Sequence, residues 1–487
     1  MRNTVLATAV AATLALAAPE AFAQAKGTAS KAEVQAIEAQ MKALAERLNK
    51  LESANTVLQS ENSELKSVVE RRDAELDYLK SQTKELREEG AVAANEIGKV
   101  KGADWAAKIK GRGDLRYRHE GISTERVAGT GATADVEDAA DRTRHRIRAR
   151  LAFDAQVTDN VKATLLLATG GDDPRSSNQT LGSQGTRKTI GVDLALADWT
   201  ITPGVNLILG KQLWPFWRPG NSLFYDGDYN PEGGAIRFER GMLFGSAYGW
   251  WLSEQYNADP KGENSDGNVF GAQVGLKFPL LGGETRVAAH YYDCGACQYQ
   301  SSILYNNSGN GNTTFRPGTS TTNILRNDFE VLELSAEMGM TLFDLPFAVW
   351  ANYAQNLAAE KGSTAPGVAD RWVNDTLDTA YAAGVSLGRA SNPKTWAAAL
   401  WYQDIDANSL FGQFVDSDFG DGQTDSKGWV VRGTYAPVRN FNVQATYFMN
   451  ERFNDVAPVR GLTAGNPYEI GNDISYDRLQ LDLNYRF

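Results

Sequence analysis

Hydrophobic and polar positions follow two different periods along this chain. From Val34 to Leu86, apolar residues recur at alternating spacings of three and four. One seam runs Val34, Met41, Leu48, Asn55, Asn62, Val69, Leu76 and Thr83. The other runs Ile37, Leu44, Leu51, Leu58, Leu65, Arg72, Leu79 and Leu86. Eight unbroken heptads with charged flanks predict an α-helical coiled coil. At 1.5 Å per residue the rod is roughly 80 Å long. Such a helix cannot bury its stripe alone, so it requires self-association or a partner. Asn55 and Asn62 at seam positions fix register at a cost in stability. A passive oligomerisation stalk and a spacer touching the cell wall both fit. Gly90 to Ala103 is rich in small residues and is expected to be a linker, which places the coiled coil at 24–89.

From Asp104 to Phe487 the period becomes two. Sixteen alternating segments begin near Asp104, Arg142, Val161, Lys188, Val205, Gly234, Met242, Gly267, Glu284, Asp328, Pro346, Leu377, Thr395, Ser426, Phe441 and Asp473. Their connections alternate in length. Short ones carry turn residues, as in Thr158-Asp159-Asn160, Pro203-Gly204 and Gly282-Gly283. Long ones, such as Gln300 to Asn327 and Asp404 to Asp425, are rich in Gly, Asn, Asp, Ser and Thr. An even strand number with turns at one end and loops at the other predicts an all-β fold. It is a 16-stranded antiparallel transmembrane β-barrel preceded by an N-terminal α-helical coiled coil. In the last segment Leu479, Leu481, Leu483, Tyr485 and Phe487 share one face, and Arg478, Gln480, Asp482, Asn484 and Arg486 the other. One face suits lipid and the other water. Leu483, Tyr485 and the terminal Phe487 are similar to the C-terminal signal by which outer-membrane barrels are recognised for assembly.

The N-terminus supplies a compartment. Arg2, the apolar stretch Thr4 to Ala18 and the small-residue site Ala21-Phe22-Ala23 predict a secretory signal peptide over 1–23. No later run of 18 apolar residues exists, so a helical membrane protein is excluded. A barrel escapes that test because alternation hides its apolar residues, which suits a mean hydropathy of -0.39. The 46 Gly, 11 Trp, 18 Tyr and 19 Phe against 2 Cys and 3 His argue against a disulfide scaffold or a His-built metal centre. A net charge of -11 argues against nucleic acid as a partner.

The candidate functional residues form a charge ladder. In the second segment Arg142, Arg144, Arg146, Arg148 and Arg150 point one way; in the first, Lys108, Lys110, Arg112, Arg116 and Arg118 share a face with Asp114. A lipid-facing Arg costs about 2–4 kcal/mol at the midplane, so these ten cations are expected in the lumen. Packed in a filled lumen they would need nearly as many carboxylates; a water-filled channel removes that demand. After the fifth strand, Trp214 to Gly233 is aromatic, Pro-rich and acidic, with Asp226, Asp228 and Glu232. Folded inward opposite the basic wall, it would narrow the pore and set up a transverse field favouring polar solutes. Glu333 and Glu337 lie at lumen phase and partly offset the ladder.

Other groups carry less. Cys294 and Cys297, in D-C-G-A-C, are expected to form a local disulfide at a loop base. Tyr248, Trp250 and Tyr292 suit an interfacial girdle better than a sugar-stacking track. His119 and His145 fall on the lipid phase and His290 on the lumen phase. No G-x-S-x-G accompanies them, so no enzyme, metal or other cofactor is expected.

At RTRHRIRARLAFDAQVTDNVKATLLLATGGDDP (Arg142 to Pro174), GKQLWPFWRPG (Gly210 to Gly220) and DYNPEGGAIRFERG (Asp228 to Gly241) the sequence resembles the "putative porin" family of Gram-negative outer membranes. The order of coiled coil before barrel is also similar to phosphate-selective porins. The resemblance covers most of 104–487. It implies passive diffusion of small hydrophilic solutes and ions, usually through a homotrimer. The expected partners are outer-membrane lipid, further copies of the chain, the barrel-assembly machinery and, if the coil touches the wall, peptidoglycan. A substrate-specific sugar or anion channel and a plugged barrel anchoring a coiled-coil tether are the alternatives.

Overall fold

The computed structural model describes residues 31–98, 108–128, 135–138, 141–254, 266–295, 297–315, 319–360, 376–452 and 474–487. The expected signal peptide lies outside them. The chain divides into two compact units, Met1–Ala103 and Asp104–Phe487.

In the first unit a single helix, α1, spans Lys31–Gly98. It therefore continues through the first nine residues of the segment expected to be a linker. Its seam side chains are bare: Leu44, Leu48, Leu51, Leu58, Leu65, Val69, Leu76 and Leu79 are all more than half exposed. The side chains of Val34, Ile37, Met41 and Leu86 lie outside the described residues.

The second unit is a closed barrel. Its strands are β1 (Ile109–Ala128), β2 (Arg142–Thr158), β3 (Val161–Thr169), β4 (Ile190–Thr202), β5 (Val205–Lys211), β6 (Glu232–Arg240), β7 (Leu243–Ser253) and β8 (Gly267–Leu280). They continue as β9 (Gly283–Gly295), β10 (Glu330–Leu342), β11 (Leu345–Asn356), β12 (Thr379–Gly388), β13 (Thr395–Ile405), β14 (Ser426–Val438), β15 (Phe441–Arg452) and β16 (Ile474–Arg486). Each pairs antiparallel with the next, and β16 pairs with β1 from Asp114↔Arg486 to Thr124↔Tyr476. Closure leaves no open edge in the hydrocarbon, where an unpaired backbone group has no water to turn to. Most strands begin within two residues of the expected positions; β1 starts five later, at Ile109. Gly204 shows why a short turn needs its residue: at φ +82° a Cβ would stand 2.3 Å from the Glu239 carbonyl oxygen.

The faces sort as the alternation predicts. Leu115, Tyr117, Leu151, Phe153, Leu479, Leu481, Leu483, Tyr485 and Phe487 point out and are exposed. Phe487 completes the seam: its N–H donates to the Gly113 carbonyl at 3.1 Å and its carbonyl accepts from Gly113 N–H at 2.9 Å. Its ring covers Gly113, where an added Cβ would lie 2.5 Å from the ring. An aromatic laid over a strand glycine restores packing that the glycine lacks.

The lumen departs from expectation. Three long loops fold inward: L3 (212–231), L5 (296–329, in its described parts) and L7 (406–425). Trp214, Phe216, Phe224 and Tyr225 of L3, Ile303 and Phe329 of L5, and Phe411, Phe414 and Phe419 of L7 form one buried cluster. Tyr248, Trp250, Tyr292, Trp350 and Trp401 of the inner wall join it. The long-loop end of the barrel thus carries a protein core rather than open water.

Leu481 sits on the outward face of β16, paired with His119 and Ala445. Leu481→Arg is expected to cost about 2–4 kcal/mol of barrel stability, read as a lower denaturant midpoint in refolding from urea into lipid vesicles.

Candidate functional site: the arginine wall and the inward loops

Strands β1 and β2 are paired so that their even-numbered residues share the inner face: Arg116 opposes Arg148, Arg118 opposes Arg146, and Glu120 opposes Arg144. The ladder therefore stands where alternation predicts, but it does not stand against open water. Arg118, only 4% exposed, is held by Asp482 at 2.6 Å, Asp418 at 3.0 Å and Glu120 at 3.4 Å. Arg144 bonds Glu120, and Arg146 stands 3.7 Å from it. Arg148 and Arg150 reach Asp114 at 2.9 and 2.8 Å. Partners are needed because a guanidinium taken out of bulk water is costly unless a carboxylate meets it. The expectation of a solvated ladder is corrected accordingly.

The ends of the ladder differ. Lys108 and Lys110 are exposed at the short-turn end, where Arg112 bonds Asp154 at 2.6 Å. Arg142 is exposed at the other end, opposite Ile122.

L3 leaves β5, runs round the inner wall and returns. Trp217 N–H donates to Gln273 of β8 at 2.8 Å, Gly220 N–H to Glu337 of β10 at 2.5 Å, and Leu223 N–H to Gln403 of β13 at 3.3 Å. Arg432 of β14 donates to Asn221 at 3.2 Å. On the return, Asp228 accepts from Ser177 N–H and Oγ–H at 3.2 and 2.8 Å. It stands 3.6 Å from Arg148 and 3.8 Å from Arg150. Thus L3 folds inward as expected, but Asp228 meets the basic wall instead of facing it across a gap. Asp226 is buried against L7, accepting from Ser417 N–H at 2.7 Å. Glu232 belongs to β6 and pairs with Lys211 at 2.9 Å, so it takes no part in a constriction.

Aromatic packing stiffens the loop. Trp214 stacks on Tyr229 with ring centres 5.2 Å apart and donates its indole N–H to the Asp226 carbonyl at 2.7 Å. Tyr248 and Trp250, stacked at 3.9 Å, and Tyr292 are buried under L3 and L7; they form neither a girdle nor an open sugar track. His290, buried at lumen phase, joins Tyr248 at 2.7 Å and Glu333 at 2.8 Å, and Tyr225 donates to the same carboxylate at 2.8 Å. Cys294 and Cys297 are joined as a buried disulfide at the base of L5. His119 and His145 face outward side by side, ring centres 4.9 Å apart.

L7 was not foreseen as part of the site. Arg175 of the loop between β3 and β4 donates one Nη1 to the carbonyls of Gly412, Val415 and Gly422 at 3.2, 3.2 and 2.7 Å. Asp418 at its far end joins Arg118 and Arg478, each at 3.0 Å. Glu120, Arg478 and Asp482 share the phase of the ladder, and that signal could have found them. Nothing local points to Arg175 or Asp418.

Two cavities flank L3. One, of about 390 Å³, opens among Asp198, Asn206, Arg237, Lys277 and Arg286 beneath Trp214 and Phe216. The other, of about 310 Å³, lies among Asp172, Lys211, Tyr229, Tyr305 and Gln413.

Charge at the L3–L7 junction is uneven. Burial, and then the charge of Asp418, push the Asp416 carboxyl up to about 6. Burial beside Asp416 and Asp228 also raises Asp226. Burial opposes ionisation of Asp418, but Arg118 and Arg478 overcome it and hold it below the usual range. Arg148, Arg116 and Arg150 do the same for Asp228.

A closed 16-stranded barrel with a polar, charged inner wall and loops turned into its lumen defines the class of outer-membrane channels. The family model described as "Putative porin" matches residues 5–313 and 304–487, and the chain belongs to that family. No curated protein matches the chain. Solved structures that resemble it include OprB of Pseudomonas putida (9% identity, TM-score 0.45, covering 78% of this chain and 94% of that one). The outer membrane channel DcaP of Acinetobacter baumannii is another (12%, 0.42, 78% and 97%). A third is OmpF of Salmonella typhi in complex with daunomycin (13%, 0.41, 78% and 97%).

A carboxyl whose pKa is raised on folding stabilises below its unfolded pKa, and that contribution is lost as pH rises through the folded value. The L3–L7 junction should therefore loosen between about pH 4 and 6 as Asp416 ionises. Hydrogen exchange of the Phe414–Ser417 amides should quicken across that window beyond the intrinsic pH effect, and Asp416→Asn should flatten the change.

Proposed function

We propose that this outer-membrane channel passes small hydrophilic solutes and ions by passive diffusion, past the arginine wall and the inward loop L3. The observation that carries the reading is the seat of L3. It follows the inner wall and returns to the ladder, where Asp228 stands beside Arg148 and Arg150 while both stay partly exposed. Inward loops narrow the passage, so only small solutes fit. Charges of both signs at close range favour polar over apolar solutes. Conductance of the purified chain in a planar bilayer under a salt gradient tests this: discrete steps are expected, and silence from folded protein would overturn it.

Replacing Arg144, Arg146 and Arg148 together with Gln leaves Glu120, Asp114 and Asp228 with fewer cations. The reversal potential should shift toward cation selectivity, and an unchanged potential would remove the wall from the selectivity mechanism.

A second reading has its own observation. The buried core shared by L3, L5 and L7 suits a filled barrel acting as anchor for a tether. It predicts no conductance, together with binding of the helix to peptidoglycan.

Export by a signal peptide over 1–23, a coiled coil in the periplasm and self-association as a trimer complete the proposal. Leu483, Tyr485 and Phe487 serve as the recognition element for barrel assembly. The exposed seam of α1 supports self-association, because eight bare apolar side chains in water call for a partner surface. Leu51→Asn with Leu58→Asn should convert the detergent-solubilised protein to a smaller species by light scattering.

A further inference from the structure

Arg116 breaks the charge balance of the inner wall. Six guanidiniums, of Arg118, Arg144, Arg146, Arg148, Arg150 and Arg478, share the carboxylates of Asp114, Glu120, Asp228, Asp418 and Asp482 at ion-pair distance. Arg116 lies among them on the same face, directly across from Arg148. Among the described residues, no carboxylate comes within ion-pair distance of it. Its Nη2 donates to the neutral Asn178 Oδ1 at 2.6 Å, and its Nε is buried without an acceptor. Like charges directly opposite on neighbouring strands repel. Asp228 and Asp482 act on Arg116 only through space, and a guanidinium in confined space with no carboxylate in direct contact favours an anion that can reach it.

L3 already shows what the place accepts. The Asp228 carboxylate lies beside this group, bonded to Ser177 but 3.6 and 3.8 Å from Arg148 Nη1 and Arg150 Nη1. At those separations charge attracts, but the N–H groups keep their capacity to donate. The side chains of Arg148 and Arg150 remain 12% and 27% exposed, so a solute can reach them.

We propose that Arg116, Arg148 and Arg150 form a binding site for a small oxyanion, the carboxylate or phosphate group of a solute in the lumen, with Asp228 as its built-in competitor. Guanidinium forks match the planar oxygens of such groups and bind them as paired donors. The inference rests on the channel reading, and names the solute class it favours.

Equilibrium binding to the detergent-solubilised full chain tests the site without requiring conduction. The probes are inorganic phosphate and succinate, measured by dialysis. One saturable site per chain is expected for at least one probe, and which one binds separates the phosphate from the carboxylate source. Arg116→Gln, which keeps a side-chain amide beside Asn178 and removes the charge, should weaken binding at least tenfold. Asp228→Asn should tighten it several-fold. Absence of binding by both probes, or equal binding by wild type and Arg116→Gln, would overturn the site. Binding with these mutant effects but no bilayer conductance would retire the channel reading and leave the site standing.

Discussion

The structure depends on one constraint: a wall of arginines inside a barrel can be enclosed only if carboxylates come to it. β1 and β2 bring Arg116, Arg118, Arg144, Arg146, Arg148 and Arg150 onto one surface. Two acids of β1 itself, Asp114 and Glu120, answer part of that charge. The rest arrives from far along the chain, as Asp482 of β16, Asp228 of L3 and Asp418 of L7. Barrel closure supplies the first of these. The inward course of the loops supplies the other two. The electrostatics of the wall and the position of the loops are therefore one arrangement.

The loops also need a floor on which to lie. Aromatic residues of the inner face provide it, with Tyr248, Trp250, Tyr292, Trp350 and Trp401 meeting Trp214, Phe414 and their neighbours. Apolar side chains on both faces of β7, β9, β11 and β13 are thus not contradictory. The outer ones meet lipid and the inner ones meet folded protein. Some buried polar groups among them are paired, as in Tyr248, His290, Glu333 and Tyr225, whereas the indole N–H groups of Trp250, Trp350 and Trp401 have no protein acceptor; an unmet polar group in that setting costs about 1–3 kcal/mol. The result is a lumen whose long-loop end is packed and whose arginine wall retains partial access.

Periodicity alone determined the helix, the sixteen strands, their facing and the two kinds of connection. These are local properties: a side chain's phase in a strand follows from its neighbours two residues away. It placed the ten cations on the inner phase and sent L3 inward on its aromatic and acidic composition. Only the tertiary structure decided what those residues meet. Asp226 and Asp228 are two residues apart, yet one is buried against Ser417 while the other joins the arginines. Arg175 finds its carbonyls more than two hundred positions away. Such pairings have no period to betray them, because they arise where separate loops pack within a closed wall. Tyr248 and Trp250 make the same point, for an aromatic at a given phase suits a girdle or a core equally until the loop above it is placed.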